Sequence, residues 1–153
     1  MRCPRFYIDG VSPLEIMNLI ENQIISSTSI AIVGISQNPD RDSHRVAKYL
    51  QENGYTIIPV NKAIPRILGE PSYPDLKSIP FPVDLVNIFR KSDIVGSIVK
   101  QSIEIGVKHI WMQDGISNEE SAEKARSYGI SVTMDNCIMR EHSKLFRSTP
   151  YPK

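Results

Sequence analysis

The sequence predicts a doubly wound α/β domain with a five-stranded parallel sheet. Three observations lead there. Short apolar, β-branched runs recur at roughly 25-residue spacing. Helical patterns fill the gaps between them, and several of these close on a glycine. The first run ends in GISQNPDRDSHR, Gly34 to Arg45, a glycine turn that leads directly into a helix.

Taken in order, Ser12, Pro13 and Glu15 open a leading helix of about residues 13–25, with Leu14, Ile16, Met17, Ile20 and Ile24 as its candidate apolar face. SIAIVGIS (Ser29 to Ser36) suits a strand buried on both faces. SHRVAKYLQENG then places Val46, Ala47 and Leu50 on one helical face, with Gly54 at its end. Tyr55 to Asn61 reads as a second strand, although Pro59 is a residue that a central strand resists. The following stretch, Lys62 to Pro82, carries Pro65, Pro71, Pro74, Pro80 and Pro82, leaving room for only a short helical turn around Asp75 to Ile79.

Val83 to Arg90 is a third strand. SDIVGSIVKQSIEIG follows with Ile94, Val95, Ile98, Val99 and Ile103 at helical spacing and Gly106 as its stop. His109 to Gly115 is a fourth strand. Ser117 and Glu120 have capping-box spacing ahead of a helix that ends at Gly129. Ile130 to Asn136 is the fifth strand, and CIMREHSKLF a last helix. Right-handed crossovers then imply a sheet order of 3-2-1-4-5. No linker divides the chain, so residues 1–153 are expected to form one domain, with a core of about residues 29–146.

Composition narrows the function classes. A formal charge of +1 makes no general electrostatic case for nucleic acid or an anionic membrane. No run approaches the roughly 20 apolar residues of a membrane span. MRCPRFYIDG has no apolar segment of the kind a signal peptide needs, so a cytoplasmic location is expected. Cys3 and Cys137 are too few for a disulfide framework and lack metal-ligand spacing; a Cys3–Cys137 bridge is the one pairing they allow.

In a sheet of this kind, ligands bind beyond the carboxyl ends of the strands, where the winding reverses. The order 3-2-1-4-5 would set Gly34 to Ser43 across a crevice from Gln113 to Ser117. Gly34 lets the backbone approach a ligand, Ser36 and Ser43 offer hydroxyls, Arg41 adds a positive charge, and a helix beginning near Ser43 directs free N–H groups at the crevice. An equally available reading is that Gly34 only turns the chain and Asp42 or Ser43 only caps the helix. The dinucleotide fingerprint G-x-G-x-x-G fails, with Ser36 and Pro39 in place of its later glycines. The second strand ends in Asn61 and Lys62, where an NAD site wants an acidic residue. That pair suits a phosphorylated ribose, as in NADP or coenzyme A.

These residues also carry a family resemblance. The motif G-x-S-x-x-P-x-x-x-S at Gly34, Ser36, Pro39 and Ser43 occurs together with V-N-K, with V-D-L-V-x-x-F-R and with M-D-x-C. Beside them stand ILGEPSYPDL and HIWMQDG with NEESAEKARSYGI. The set resembles the CoA-binding domain family, small stand-alone Rossmann-like proteins known as YccU-like, from about Ser29 to His142. A weaker likeness extends to the CoA-binding domain of the succinyl-CoA synthetase α subunit, whose E-G and N-C segments correspond to QDG and DNC here. That enzyme's phosphorylated histidine lies in another domain with no counterpart in this chain, so ligase activity is not implied. MRCPRFYIDG and SKLFRSTPYPK fall outside the resemblance.

The resemblance implies a coenzyme A site. Gly34, Ile35 and Ser36, with Arg41 and Ser43, would receive the pyrophosphate. Val60, Asn61 and Lys62 would lie beside the adenosine and its 3′-phosphate, and Phe89 and Arg90 would wall the adenine and pair with phosphate. The plainer alternatives are that Phe89 is core and Lys62 is solvated.

Catalytic machinery is not visible. G-x-S-x-G would need glycine where Asn38 stands. His44, His109 and His142 are scattered, and no metal-ligand spacing links them to each other or to a cysteine. Asp114 and Asp135 end strands on the ligand side, where such residues cap helices and shape loops more often than they transfer protons. Cys137 begins the last helix; it is either packed under the crevice or placed to form a mixed disulfide with the thiol of coenzyme A. Glu141 and His142 lie on the same helix with no assigned role. The sequence thus points to a binding or sensing module for CoA or an acyl-CoA, working alone, as a homo-oligomer or with a ligase partner. An NADP-binding oxidoreductase-like domain and a regulatory subunit of an acyl-CoA ligase are the alternatives.

Overall fold

The computed structural model describes residues 10–147. Its sheet is built from β1 (Ser29–Val33), β2 (Thr56–Val60), β5 (Leu85–Ile88), β6 (His109–Met112) and β7 (Ser131–Thr133), all parallel. Between β2 and β5 the chain forms a small antiparallel hairpin, β3 (Arg66–Ile67) and β4 (Glu70–Pro71), then a 3₁₀ turn, Leu76–Ser78, capped by the Asp75 carboxylate. The helices are α1 (Pro13–Ser26), α2 (Asp42–Glu52), α3 (Val95–Ile105), α4 (Glu119–Ser127) and α5 (Ile138–Arg147).

The doubly wound α/β class is as the sequence predicts, but the strand order is not. The sheet runs β2-β1-β5-β6-β7, which is 2-1-3-4-5 for the five principal strands rather than 3-2-1-4-5. Pro59 supplies the reason. The expected order would put its strand between two neighbours, yet proline has no N–H to give to a ladder. In the structure β2 is an edge. The Pro59 carbonyl accepts a hydrogen bond from the Tyr73 N–H on the outer side, 3.0 Å away, and the hydrogen-free nitrogen of a parallel strand faces that same side.

Alternation along each strand sends side chains to two cores. Ala31, Val33, Ile58, Val60, Val86, Ile88, Ile110 and Met112 pack with α3 and α4 on one face. Ile30, Ile32, Ile57, Leu85 and Trp111 pack with α1, α2 and α5 on the other. A strand flanked on both faces must be apolar throughout, which is why SIAIV shows no polar alternation.

Helix ends follow local chemistry with two departures. Ser12, Pro13 and Glu15 open α1 as expected, and Ser12 and Glu15 form a capping box there. Its buried face, however, is Ile16, Ile20, Gln23 and Ile24, while Leu14 and Met17 are 66 % and 64 % exposed. The turn of α1 that meets β7 carries Gln23, whose amide fits a site where a hydrocarbon would not. The α4 cap is Asn118, which accepts from the Ser121 N–H at 3.0 Å, rather than Ser117. Asn and Ser cap comparably, so position along the chain decided between them.

Gln23 centres a buried polar network that fastens α1 to the sheet. Its Oε1 accepts from the Thr133 hydroxyl at 2.5 Å, and its Nε2 donates to the Ser131 carbonyl at 3.0 Å. His109 extends the network, with Nδ1 at 2.6 Å from the Ser131 hydroxyl and Nε2 at 3.0 Å from the Ser26 hydroxyl. Burial pushes the His109 pKa below its ordinary value; Asp84 opposes that shift and Lys108 reinforces it. The unfolded chain therefore takes up the proton more readily. This contribution to stability is full above about pH 6.5 and is lost as the pH falls from there through the folded-state value. Urea unfolding at pH 8 and pH 5 is expected to show that loss in the wild type and a smaller one in His109→Gln; equal losses would place the titration elsewhere.

Candidate functional site

The winding reverses between β1 and β5, so the crevice opens at the carboxyl ends of those two strands. The Gly34 turn consequently faces Phe89 and Arg90, not Gln113 to Ser117 as the expected order required. The Phe89 N–H donates to the Val33 carbonyl at 2.9 Å, carrying the β1–β5 ladder to the rim. Gly34 has φ +89, and a Cβ placed on it would lie 2.7 Å from Arg90 Cδ and 3.0 Å from the Phe89 carbonyl oxygen. Both the backbone angle and the space demand glycine here.

The turn is held from three directions. Asn61 Nδ2 donates to the Ile35 carbonyl at 2.9 Å, while Asn61 Oδ1 accepts from the Ala63 and Ile64 N–H groups. Nδ1 of His44 lies 2.9 Å from the Ser36 carbonyl, which can only accept, so that nitrogen carries the proton. The Ser36 N–H donates to Ser43 Oγ at 3.0 Å, and Ser36 Oγ accepts from the Asn38 N–H. Ser43 keeps its own hydroxyl proton to donate. Asn61 and His44 thus act on the shape of the turn. Sequence reading put Asn61 beside a ligand and gave His44 no part, since neither contact is local in pattern.

The helices α2 to α5 each follow a parallel strand and so start at this edge of the sheet, and the starts of α2 and α5 differ. At α5 the Cys137 N–H is bound by Asn136 Oδ1 at 2.8 Å and the Ile138 N–H by Gln113 Oε1 at 3.1 Å. At α2 the N-cap residue is Arg41, which makes no side-chain cap. An uncapped helix start presents N–H donors and the positive end of the helix dipole, the ordinary conditions for holding a phosphate. Arg41 is the N-cap residue itself, Arg90 lies against Gly34, and Lys62 follows Asn61; all three are exposed, and among the described residues none is in an ion pair. Val60 is buried at the end of β2, and Phe89 is half-buried against the core shared with α2 and α5. The crevice therefore joins Gly34, Ile35, Ser36, Arg41, Ser43, Phe89 and Arg90, with Val60, Asn61 and Lys62 one strand further out.

Other candidates are engaged elsewhere. Asp114 holds Arg140 in a two-point pair, both bonds at 2.9 Å, and chiefly that hydrogen bonding raises the guanidinium pKa against the effect of burial. Asp135, at φ 53, accepts from the Gly115 N–H at 2.7 Å. His142 is buried, with Nδ1 at 2.7 Å from the Tyr49 hydroxyl, and joins α5 to α2. Cys137 is 7 % exposed and packs in the cluster that contains Trp111 and Ile138. Cys3, its conceivable disulfide partner, lies outside the described residues. No helix among the described residues is long and apolar enough to cross a membrane.

The molecule is a doubly wound α/β domain in which a helix start without a side-chain cap lies at the switch point of the sheet. The chain belongs to the CoA binding domain family, whose model matches residues 28–143. It is 39 % identical over 132 residues to the uncharacterized protein YneT of Bacillus subtilis, a match covering 86 % of this chain and 95 % of that protein. The solved structure of a hypothetical protein from Pyrococcus horikoshii superposes with a TM-score of 0.83 at 35 % identity, over 91 % of this chain and 95 % of the other. The chain also resembles acetate–CoA ligase (ADP-forming) I of Archaeoglobus fulgidus, with 27 % identity over 119 residues, but spans only 17 % of that enzyme.

Gly34→Ala tests the turn directly. The forced backbone angle and the contact with the Phe89 carbonyl are expected to cost about 1–3 kcal/mol in urea unfolding. A variant as stable as wild type would mean that the turn accommodates a side chain.

Proposed function

We propose that this chain binds coenzyme A or an acyl-CoA, as a single-domain cytoplasmic module whose role is binding or sensing rather than catalysis. The observation that carries this reading is the uncapped start of α2 beside Gly34, with Arg41 as its N-cap residue and Arg90 against Gly34, in a chain of the CoA binding domain family. The fit is chemical. The ligand carries a pyrophosphate and a ribose 3′-phosphate, and the crevice offers N–H donors, the Ser43 hydroxyl and three unpaired cations.

In this reading the α2 start, Ser36 and Ser43 receive the pyrophosphate with Arg41. Lys62, beyond Val60 and Asn61, meets the 3′-phosphate, and Phe89 and Arg90 wall the adenosine. The bound coenzyme brings a thiol or thioester to the domain; the chain's own residues position it.

Calorimetric titration with CoA, acetyl-CoA, 3′-dephospho-CoA, NADP and NAD tests this on wild type and Lys62→Ala. CoA is expected to bind, and to bind about 3–10-fold more weakly when either the 3′-phosphate or Lys62 is removed. Removing both is expected to cost no more than removing one. Heat with NADP but none with CoA would overturn the proposal. The likeness to the acetate–CoA ligase favours a second reading, in which the module serves a separate ligase subunit. Co-purification of such a subunit from the native host would support it.

A further inference from the structure

Asn87 stands at the centre of β5, between Ile32 of β1 and Trp111 of β6, and has no exposed surface. Neither its Nδ2 nor its Oδ1 has a hydrogen-bond partner. The other deeply buried amides behave differently. Gln23, Gln113 and Asn136 each bind backbone or hydroxyl groups. A buried amide with both ends unpaired opposes folding, and a leucine of similar size would pack in its place at no such penalty. Packing therefore does not explain Asn87.

Its position offers an explanation. Alternation along β5 puts Asn87 on the face of Leu85 and Phe89, two residues below the Phe89 wall of the crevice. Ile32 and Trp111 beside it belong to the cluster that includes Ile35, Cys137 and Ile138, at the starts of the segments leading into α2 and α5. An amide both donates and accepts. A phosphate, which only accepts, would satisfy Nδ2 and leave Oδ1 bare, and a hydrocarbon would satisfy neither. A group that both donates and accepts is needed, and a second amide is such a group.

We infer that Asn87 is a buried recognition site for an amide of the pantetheine arm of the ligand. This rests on the CoA reading above and deepens it: phosphate groups are held at the rim, and the arm passes inward between the α2 and α5 starts. Because Asn87 is sealed in the free protein, the apolar side chains of Ile35, Phe89 and Ile138 part when the arm enters.

Asn87→Leu separates the outcomes. Thermal unfolding without ligand is expected to rise by about 2–6 °C, as an unpaired polar group is removed. Affinity for CoA is expected to fall about tenfold, while affinity for adenosine 3′,5′-bisphosphate, which lacks the arm, stays at the wild-type value. Unchanged affinity for both ligands would mean that Asn87 holds no more than a buried water, and would overturn the inference. Equal loss for both would do the same, by showing a general disturbance of the crevice. Failure of the wild type to bind CoA would overturn the parent reading and this one together, which sets that case apart. If Asn87→Leu does not fold, Asn87→Val allows the same comparison.

Discussion

Pro59 cannot give a hydrogen to a neighbouring strand, and the sheet is arranged around that lack. With its bare nitrogen turned outward, β2 takes the edge and β1 is left free to pair with β5. The winding then reverses at the β1–β5 junction, and the turn after β1 meets the end of β5 directly. Had the strand after Val83 paired with β2 instead, Phe89 and Arg90 would sit two strands from Gly34. The close contact that excludes any Cβ at Gly34 is thus a consequence of an atom missing one strand away.

The crevice gains its character by contrast with its surroundings. Side chains close the amino termini of α1, α4 and α5, through Ser12, Asn118, and Asn136 with Gln113 respectively. The start of α2, like that of α3, carries no side-chain cap, and the residues around it are fixed by Asn61, His44 and the Ser36–Ser43 bond. The turn is held in shape by its own hydrogen bonds while no side chain caps the start of the helix after it. Across the edge, Asp114 is paired with Arg140, whereas among the described residues Arg41, Lys62 and Arg90 are in no ion pair.

Polar groups in the core follow two rules. Around Gln23 and His109, each buried group finds a partner and the network secures α1 against β6 and β7. At Asn87 the rule is broken in the middle of the sheet, next to the crevice. Native domains retain few such groups, and those they retain are most readily understood where a ligand completes them.

Much was legible in the sequence because it is local. Strand and helix positions follow from the periods of apolar residues, the start of α1 from Ser12, Pro13 and Glu15, and the glycine turn ahead of α2 from Gly34 and the helical pattern after it. Even Pro59 carried its message, since an edge position was already implied by the missing N–H. The tertiary structure alone decided which strand lies beside β1, and with it that Gly34 opposes Arg90 rather than Gln113. It decided that α1 buries Gln23 and leaves Met17 in water, that Asn61 clamps a turn, and that Asn87 lacks any partner. Those outcomes depend on groups far apart in the chain, and a residue's neighbours in space are not encoded in its neighbours in sequence.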